Sequence, residues 1–437
     1  MNKRIGATTA LAFAIALLFG ACSEKARYDP EHQAGANPPL PSAQNFIVPP
    51  IQVPKGVGWQ DGQVPKVAAG LAIEKIAGGL EHPRQVYVLP NQDILVVESN
   101  SPRTEPVTTP KQLIAGMVTS RAGKGAPGGN RITLLRRKAG GGWDKSLFID
   151  KLHSPFGVQL IGDTLYVADT DALLKFPYAT GQTKITAPGV ELADLPSTIN
   201  HHWTKSLLAS PDGKKLYVGV GSNSNVGENG LDVEYRRAVV LEVDVASGAS
   251  RVFASGIRNP TGLQWEPKTG KLWAIANERD EIGADLVPDY LTSVQEGGFY
   301  GWPYSYYGQH VDSRVMPQRP DLVAKAISPD YAIGSHVAPL GLWFYTGNNL
   351  PAEYHGGAFI GEHGSWDRSP LSGYAVVYVP FANGKPTGAP KPVVTGFVSD
   401  DEKQLHGAPV GITQDGDGGL IIADDVGDSV WRVTKAR

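Results

Sequence analysis

Across 437 residues the chain has a single cysteine, Cys22. Everything after it lacks a disulfide, a cysteine zinc site and a C-x-x-C-H haem attachment, so redox chemistry there needs a cofactor held without a covalent bond. Basic residues are not in excess: 40 Lys and Arg face 43 Asp and Glu, for a formal charge of −3. Without that excess phosphates go unneutralised, which excludes a nucleic-acid partner. The apolar run Ala10–Leu18 is too short to serve as a permanent membrane span. Low-complexity tracts are missing too. With 41% hydrophobic and 19% charged residues, the composition is that of a folded protein.

Turn-forming residues are plentiful. The 52 glycines and 34 prolines argue against long helices and for many short strands joined by turns. At the start, Lys3 and Arg4, the apolar run, and Gly20-Ala21 before Cys22 read as a lipoprotein signal peptide over residues 1–21, with Cys22 as the lipidation site. An ordinary secretory signal with an incidental Cys22 is the alternative. Either way the expected location is outside the cytoplasm, on the periplasmic face of a bacterial membrane or free in the periplasm. The lipid is the only expected membrane contact. Pro-rich residues 22–67 read as an extended tether, and residues 68–437 as the folded domain.

The folded part repeats. Six hairpins of two apolar strands occur at Gln85–Ser99, Gly157–Thr170, Ser206–Gly221, Gly262–Asn277, Gly341–Glu362 and Val410–Asp425. Their turns are typified by Ser210-Pro-Asp-Gly213 and Gln414-Asp-Gly-Asp-Gly418. A third strand often follows, as at Arg131–Leu135, Ala172–Phe176 and Ser429–Val433, and a fourth leads into the next copy. Six four-stranded units of about 60 residues predict an all-β, six-bladed β-propeller with enlarged loops. The last copy has only three strands, so the segment Ala72–Ala77 is expected to complete it and close the ring.

Fold alone assigns no function, so the loops must carry the argument. Asn200-His-His-Trp-Thr-Lys205 enters an innermost strand, and a neutral imidazole there can take a proton from a substrate hydroxyl. His202 capping a strand end or facing solvent is the plain alternative. Gly256-Ile-Arg-Asn-Pro-Thr-Gly-Leu263 holds the equivalent place one unit later; Arg258 there suits an oxyanion, or else forks to a backbone carbonyl. The acidic stretch Ala276–Leu286 offers oxygens for a hard cation such as calcium, or is a solvated loop. Gly221–Gly230 lacks the Lys-Ser/Thr pair of a nucleotide loop, and Glu362–Arg368 combines His, Trp and Arg.

Three motifs together resemble the soluble pyrroloquinoline quinone (PQQ)-dependent sugar dehydrogenases, especially the L-sorbosone and aldose sugar dehydrogenase-like group. They are His202 nine residues before Pro211-Asp212-Gly213, Gly256-x-Arg258-Asn259-Pro260-x-Gly262-Leu263, and Gly297-Gly-Phe-Tyr-Gly-Trp-Pro303. Gly221–Asn225 and His363–Arg368 are similar to the sorbosone-type branch. The resemblance covers about residues 70–434 and implies a six-bladed propeller with PQQ and calcium on one face. It implies His202 as general base, Arg258 against the quinone oxygens, Asn259 on the cofactor, and Arg368 with Lys205 as cations for the cofactor's carboxylates. Calcium is expected on the main-chain carbonyls of Glu278 and Arg279. The implied substrate is a small sugar, and the electrons pass to an external quinone or cytochrome.

Three positions depart from the family pattern. Ser222 stands where glucose-oxidising members have the Asp that orients the His, and His406 and Ala408 stand where they have paired arginines. The departures at Ser222 and Ala408 are the best case for a non-catalytic binding lipoprotein; a calcium-dependent sugar-lactone hydrolase on the same propeller shape is a further reading, against which the Arg258 and Arg368 loops count.

Overall fold

The computed structural model describes residues 25–44, 51–102, 104, 107, 116–117, 120–125 and 127–436. The expected signal peptide over residues 1–21 and the lipidation site Cys22 lie outside the described residues. Among the described residues no helix is long and apolar enough to cross a membrane.

Six antiparallel sheets of at least four strands form the blades of a propeller. Their innermost strands are Pro83–Val88, Gly157–Ile161, Lys205–Ala209, Asn259–Trp265, Pro339–Phe344 and Pro409–Gln414. Each packs against the next, and the sixth packs against the first, so the ring is closed. Such close approach leaves no room for side chains at certain points. A Cβ on Gly341 would stand 2.0 Å from the Val410 carbonyl oxygen. The hairpin turns are those expected from sequence. At Ser210–Gly213 the Gly213 N–H donates to the Ser210 carbonyl at 2.9 Å, with Gly213 at φ +69°.

Ring closure follows the expected route. Leu71–Ala77 pairs antiparallel with Ser429–Lys435 and becomes the outermost strand of the sixth blade. A first-blade neighbour thus supplies the edge that the last repeat lacks, and no bare edge remains at the seam. The fourth blade takes its third strand from Pro288–Ser293, a run whose Pro and Asp disguise it in sequence.

Every blade receives the chain into its inner strand, and releases it from its second strand, on one common face, here termed the top. The described parts of the stretch read as a tether, residues 25–44 and 51–67, add short strands to the blades as a strap. Ala34–Gly35 adds a strand to the fourth blade beside Ala332 and Ile333. Lys55–Gly56 runs parallel to Gln404–Leu405, and Lys66–Val67 extends the fifth blade. Its proline content predicts extension; what composition does not reveal is where Trp59 goes. The Trp59 indole packs edge-on against Phe397 and Trp431, stacks on His406, and donates to Asp424 Oδ2 at 2.6 Å. Trp59→Ala is expected to lower stability by about 3 kcal/mol, read as a shifted urea midpoint, and to open residues 51–67 to proteolysis. An unchanged midpoint would mean that the strap is not anchored there.

Candidate active site at the channel mouth

At the ring axis, Phe156, Trp203, Leu340 and Val410 from four blades form a buried apolar cluster. Polar groups from the top-face loops gather beside it. His202 lies one residue before Trp203. Its Nδ1 sits 3.0 Å from both the carbonyl oxygen and the hydroxyl of Ser222. The Ser222 hydroxyl itself donates to the Ser224 carbonyl at 2.6 Å. Nδ1 therefore donates to the Ser222 carbonyl, and the lone pair is left on Nε2. Burial, then the charges of Arg258 and His201, hold the imidazole well below its ordinary range, so it is neutral. Ser222 thus orients the ring through its main chain, without a carboxylate. Gly221 makes this approach possible, because a Cβ there would be 2.2 Å from Asn259 Oδ1 and 2.5 Å from His202 Cβ.

Arg258 is buried and forks to main-chain oxygens. Its Nε donates to the Asn225 carbonyl (3.1 Å), Nη1 to the Glu278 carbonyl (2.6 Å) and Nη2 to Asn225 Oδ1 (3.0 Å), with Asp280 Oδ2 at 3.5 Å. The backbone-forking alternative read from sequence is therefore what this geometry contains, with the charge kept beside His202. Asn259 donates from Nδ2 to Asn277 Oδ1 at 3.1 Å, while its own buried Oδ1 has no hydrogen-bond partner.

The structure gives other tasks to Arg368 and Lys205, and engages the side chains of Glu278 and Arg279 elsewhere. Arg368 is fully buried, and its donors go to the carbonyls of Ala284, Pro370 and Tyr28 and to Asp285. It staples the strap and is not turned toward a cofactor. Lys205 is also fully buried, donating to the Trp203 carbonyl at 3.0 Å. Burial and Arg237 hold its amine well below the lysine range, so it brings little charge to an anion. The Glu278 carboxylate is taken by Arg279 (3.0 Å), and Arg279 also donates to Asp312 and to the carbonyls of Pro303 and Ser305. Their side chains form a structural knot, leaving main-chain oxygens as the only route to a cation. The Glu278 carbonyl already accepts from Arg258.

Sequence reasoning missed a buried cationic cluster. Arg84 donates to the fully buried Asp425, which also lies 2.9 Å from His363 Nε2 and 3.7 Å from His82 Nδ1. Burial acts to raise the Asp425 carboxyl, but His363 and Arg84 hold it well below the carboxylate range. Lys124 donates to the His363 carbonyl at 3.1 Å. Burial, with Asp425 opposing and Arg84 assisting, pushes it down to about 8, so it stays charged at neutral pH. Two cations thus face one carboxylate, and the buried Arg84 Nε and His82 Nδ1 lack hydrogen-bond partners. The Arg84 guanidinium stands 5.5 Å over the Trp203 ring, which joins this cluster to the His202 side of the channel. The positions His406 and Ala408 serve the strap: His406 carries Trp59, and the Ala408 N–H donates to Asp424 at 2.8 Å.

A third group combines Asp280, His336 and Asp367 from three top-face loops. Burial works against charge on His336, but Asp367 and Asp280 raise it to about 10.

Comparison with known proteins bears on the family and the fold. Residues 168–365 match the family model described as glucose/sorbosone dehydrogenase, and residues 321–436 match one described as TrAA12-like. An uncharacterized protein of Borreliella burgdorferi is 30% identical over 293 residues, covering 64% of this chain and 76% of that protein. A pyrroloquinoline quinone-dependent pyranose dehydrogenase of Coprinopsis cinerea is 23% identical over 362 residues, 72% of this chain but only 44% of its own length. The holo PQQ domain of a C. cinerea pyranose dehydrogenase superposes with a TM-score of 0.69 at 19% identity, covering 88% of this chain and 100% of that domain. With the six-bladed ring, the His202 loop and the Arg258-Asn259-Pro260 turn in place, the chain belongs to the glucose/sorbosone dehydrogenase family.

Proposed function

We propose that the protein is a PQQ-dependent sugar dehydrogenase that oxidises the hydroxyl, or aldehyde hydrate, of an aldose or sorbosone-like sugar. The observation that carries this reading is His202: neutral, tied at Nδ1 to Ser222, with Nε2 free to accept a proton. When bound, PQQ supplies a two-electron acceptor and calcium a Lewis acid. The residues present fit such a group. Asn259 Oδ1 and Arg84 Nε are buried polar atoms without partners, and an anionic tricarboxylate answers the excess charge of Arg84 and Lys124. The buried apolar cluster of Phe156, Trp203, Leu340 and Val410 lies beside His202 and would help keep water from the reacting group. Arg258 would keep His202 neutral and favour negative charge developing nearby. The main-chain oxygens of Glu278 and Arg279 remain the proposed calcium ligands.

A sugar-lactone hydrolase would leave the two cations Arg84 and Lys124 with Asp425 as their one carboxylate, and so fits less well. The remainder of the proposal is a lipid anchor at Cys22, a periplasmic location, and an external quinone or cytochrome as electron acceptor.

The direct test is dye reduction by aldoses after reconstitution with PQQ and calcium; its absence across a sugar panel would sink the reading. A pH profile tests the base. Because its environment holds His202 well below 6.5, the acid limb of kcat/KM is expected beneath that pH, with a flat rate through neutrality. An inflection at 6.5 would contradict a neutral, buried imidazole.

A further inference from the structure

Asp280 and Asp367 lie on the loops leaving the second strands of the fourth and fifth blades, and His336 lies on the loop entering the fifth. His336 Nε2 is 3.0 Å from the Gly283 carbonyl oxygen and so carries a proton there. That fixes the other nitrogen, Nδ1, toward Asp280 Oδ1 at 3.3 Å and Asp367 Oδ1 at 3.4 Å. One ligand atom from each residue falls within 4.8 Å of the others. Asp367 Oδ1 is buried and has no hydrogen-bond partner, an arrangement costly to keep unless something binds it. We propose that Asp280, His336 and Asp367 form a three-ligand site for a divalent transition metal such as zinc, with a fourth position open to water.

The donor set argues for this class of ion. Calcium and magnesium favour all-oxygen shells, whereas an imidazole with two carboxylates suits zinc, and three protein ligands plus water is the pattern of an open zinc site. The Gly283 carbonyl plays the outer-shell part, fixing the tautomer and aim of the ring. The loop carrying Asp367 is held from both sides of its neighbour Arg368. Arg368 donates to the Tyr28 carbonyl, and the Ala26 N–H donates to the Ser369 carbonyl at 2.8 Å. Asp280 gives an entry path, its side chain being 24% exposed where His336 and Asp367 are nearly sealed. Without a cation the two carboxylates share one protonated imidazole at distances long for a hydrogen bond; a metal that displaces the Nδ1 proton would satisfy all three groups at once.

This site requires neither quinone nor sugar, so it stands or falls separately from the proposed activity. The test uses the purified protein, stripped with a chelator, without PQQ, and dialysed against zinc. Cobalt serves as the coloured substitute that reports ligand geometry. One equivalent of zinc is expected at micromolar free metal, with no displacement by a large excess of calcium. Asp367→Asn and His336→Gln are each expected to weaken binding by about tenfold or more, with unchanged circular dichroism. Should either fail to fold, Asp280→Asn, at the most exposed ligand, is expected to show the same loss. Failure to bind one equivalent, affinity unchanged in the folded variants, or ready displacement by calcium would each overturn the proposal.

Discussion

His202→Ala is expected to lower turnover by about a hundredfold to ten-thousandfold, the usual worth of a positioned general base, while PQQ affinity changes little. The split follows from geometry. In the proposed site His202 offers Nε2 to a substrate proton, whereas the cations and the unpaired polar atoms proposed to hold the cofactor are contributed by other residues. Ser222 makes the expectation sharper, because its carbonyl and hydroxyl fix the ring without adding charge. His202→Gln keeps a polar group of similar reach but no base, and is expected to be equally slow. Turnover that survives either change would remove His202 from the chemistry.

Arg84→Met is expected to give the second large effect. Asp425 is fully buried, and removing its guanidinium partner leaves the carboxylate to His363 and Lys124 alone, at a cost of up to about 3–5 kcal/mol. PQQ binding is expected to weaken by about a hundredfold, a typical loss when one buried member of a charge pair is truncated. These two losses can be separated. In the double variant Arg84→Met/Asp425→Leu no stranded carboxylate remains, so stability should largely return while the affinity stays low. Recovery of both together would mean that Arg84 is structural and does not contact the cofactor.

The blades were legible in sequence because each hairpin is punctuated where backbone geometry demands it, as at Gly213 and Gly418, both at positive φ. Ring closure by Leu71–Ala77 was legible for a different reason: the last repeat was one strand short. Pro288–Ser293 was missed as a strand because its composition reads as loop. For the strap, proline content signalled extension, but nothing local signals that Trp59 reaches Asp424 from 365 positions away.

The candidate site divides in the same way. His202 and Arg258-Asn259 enter inner strands of neighbouring blades, so repeat symmetry alone brings them together. The Arg84–Asp425 pair spans 341 positions and exists only because the ring closes the first blade onto the sixth. Arg368 and Lys205 had the right charge, but charge alone does not tell whether a side chain faces a cofactor or is spent inside the protein. Arg368 went to the strap, and Lys205 was buried beneath the Trp203 carbonyl.

The central claim is that the channel mouth holds PQQ through Arg84, Lys124 and Asn259 beside His202. It is tested most directly by titrating the purified protein with PQQ in calcium and following the cofactor's absorbance. The account predicts one equivalent bound at micromolar PQQ, weakened in Arg84→Met and retained in His202→Ala. No binding at that concentration, or binding indifferent to Arg84, would contradict it and favour a non-catalytic binding protein on the same propeller.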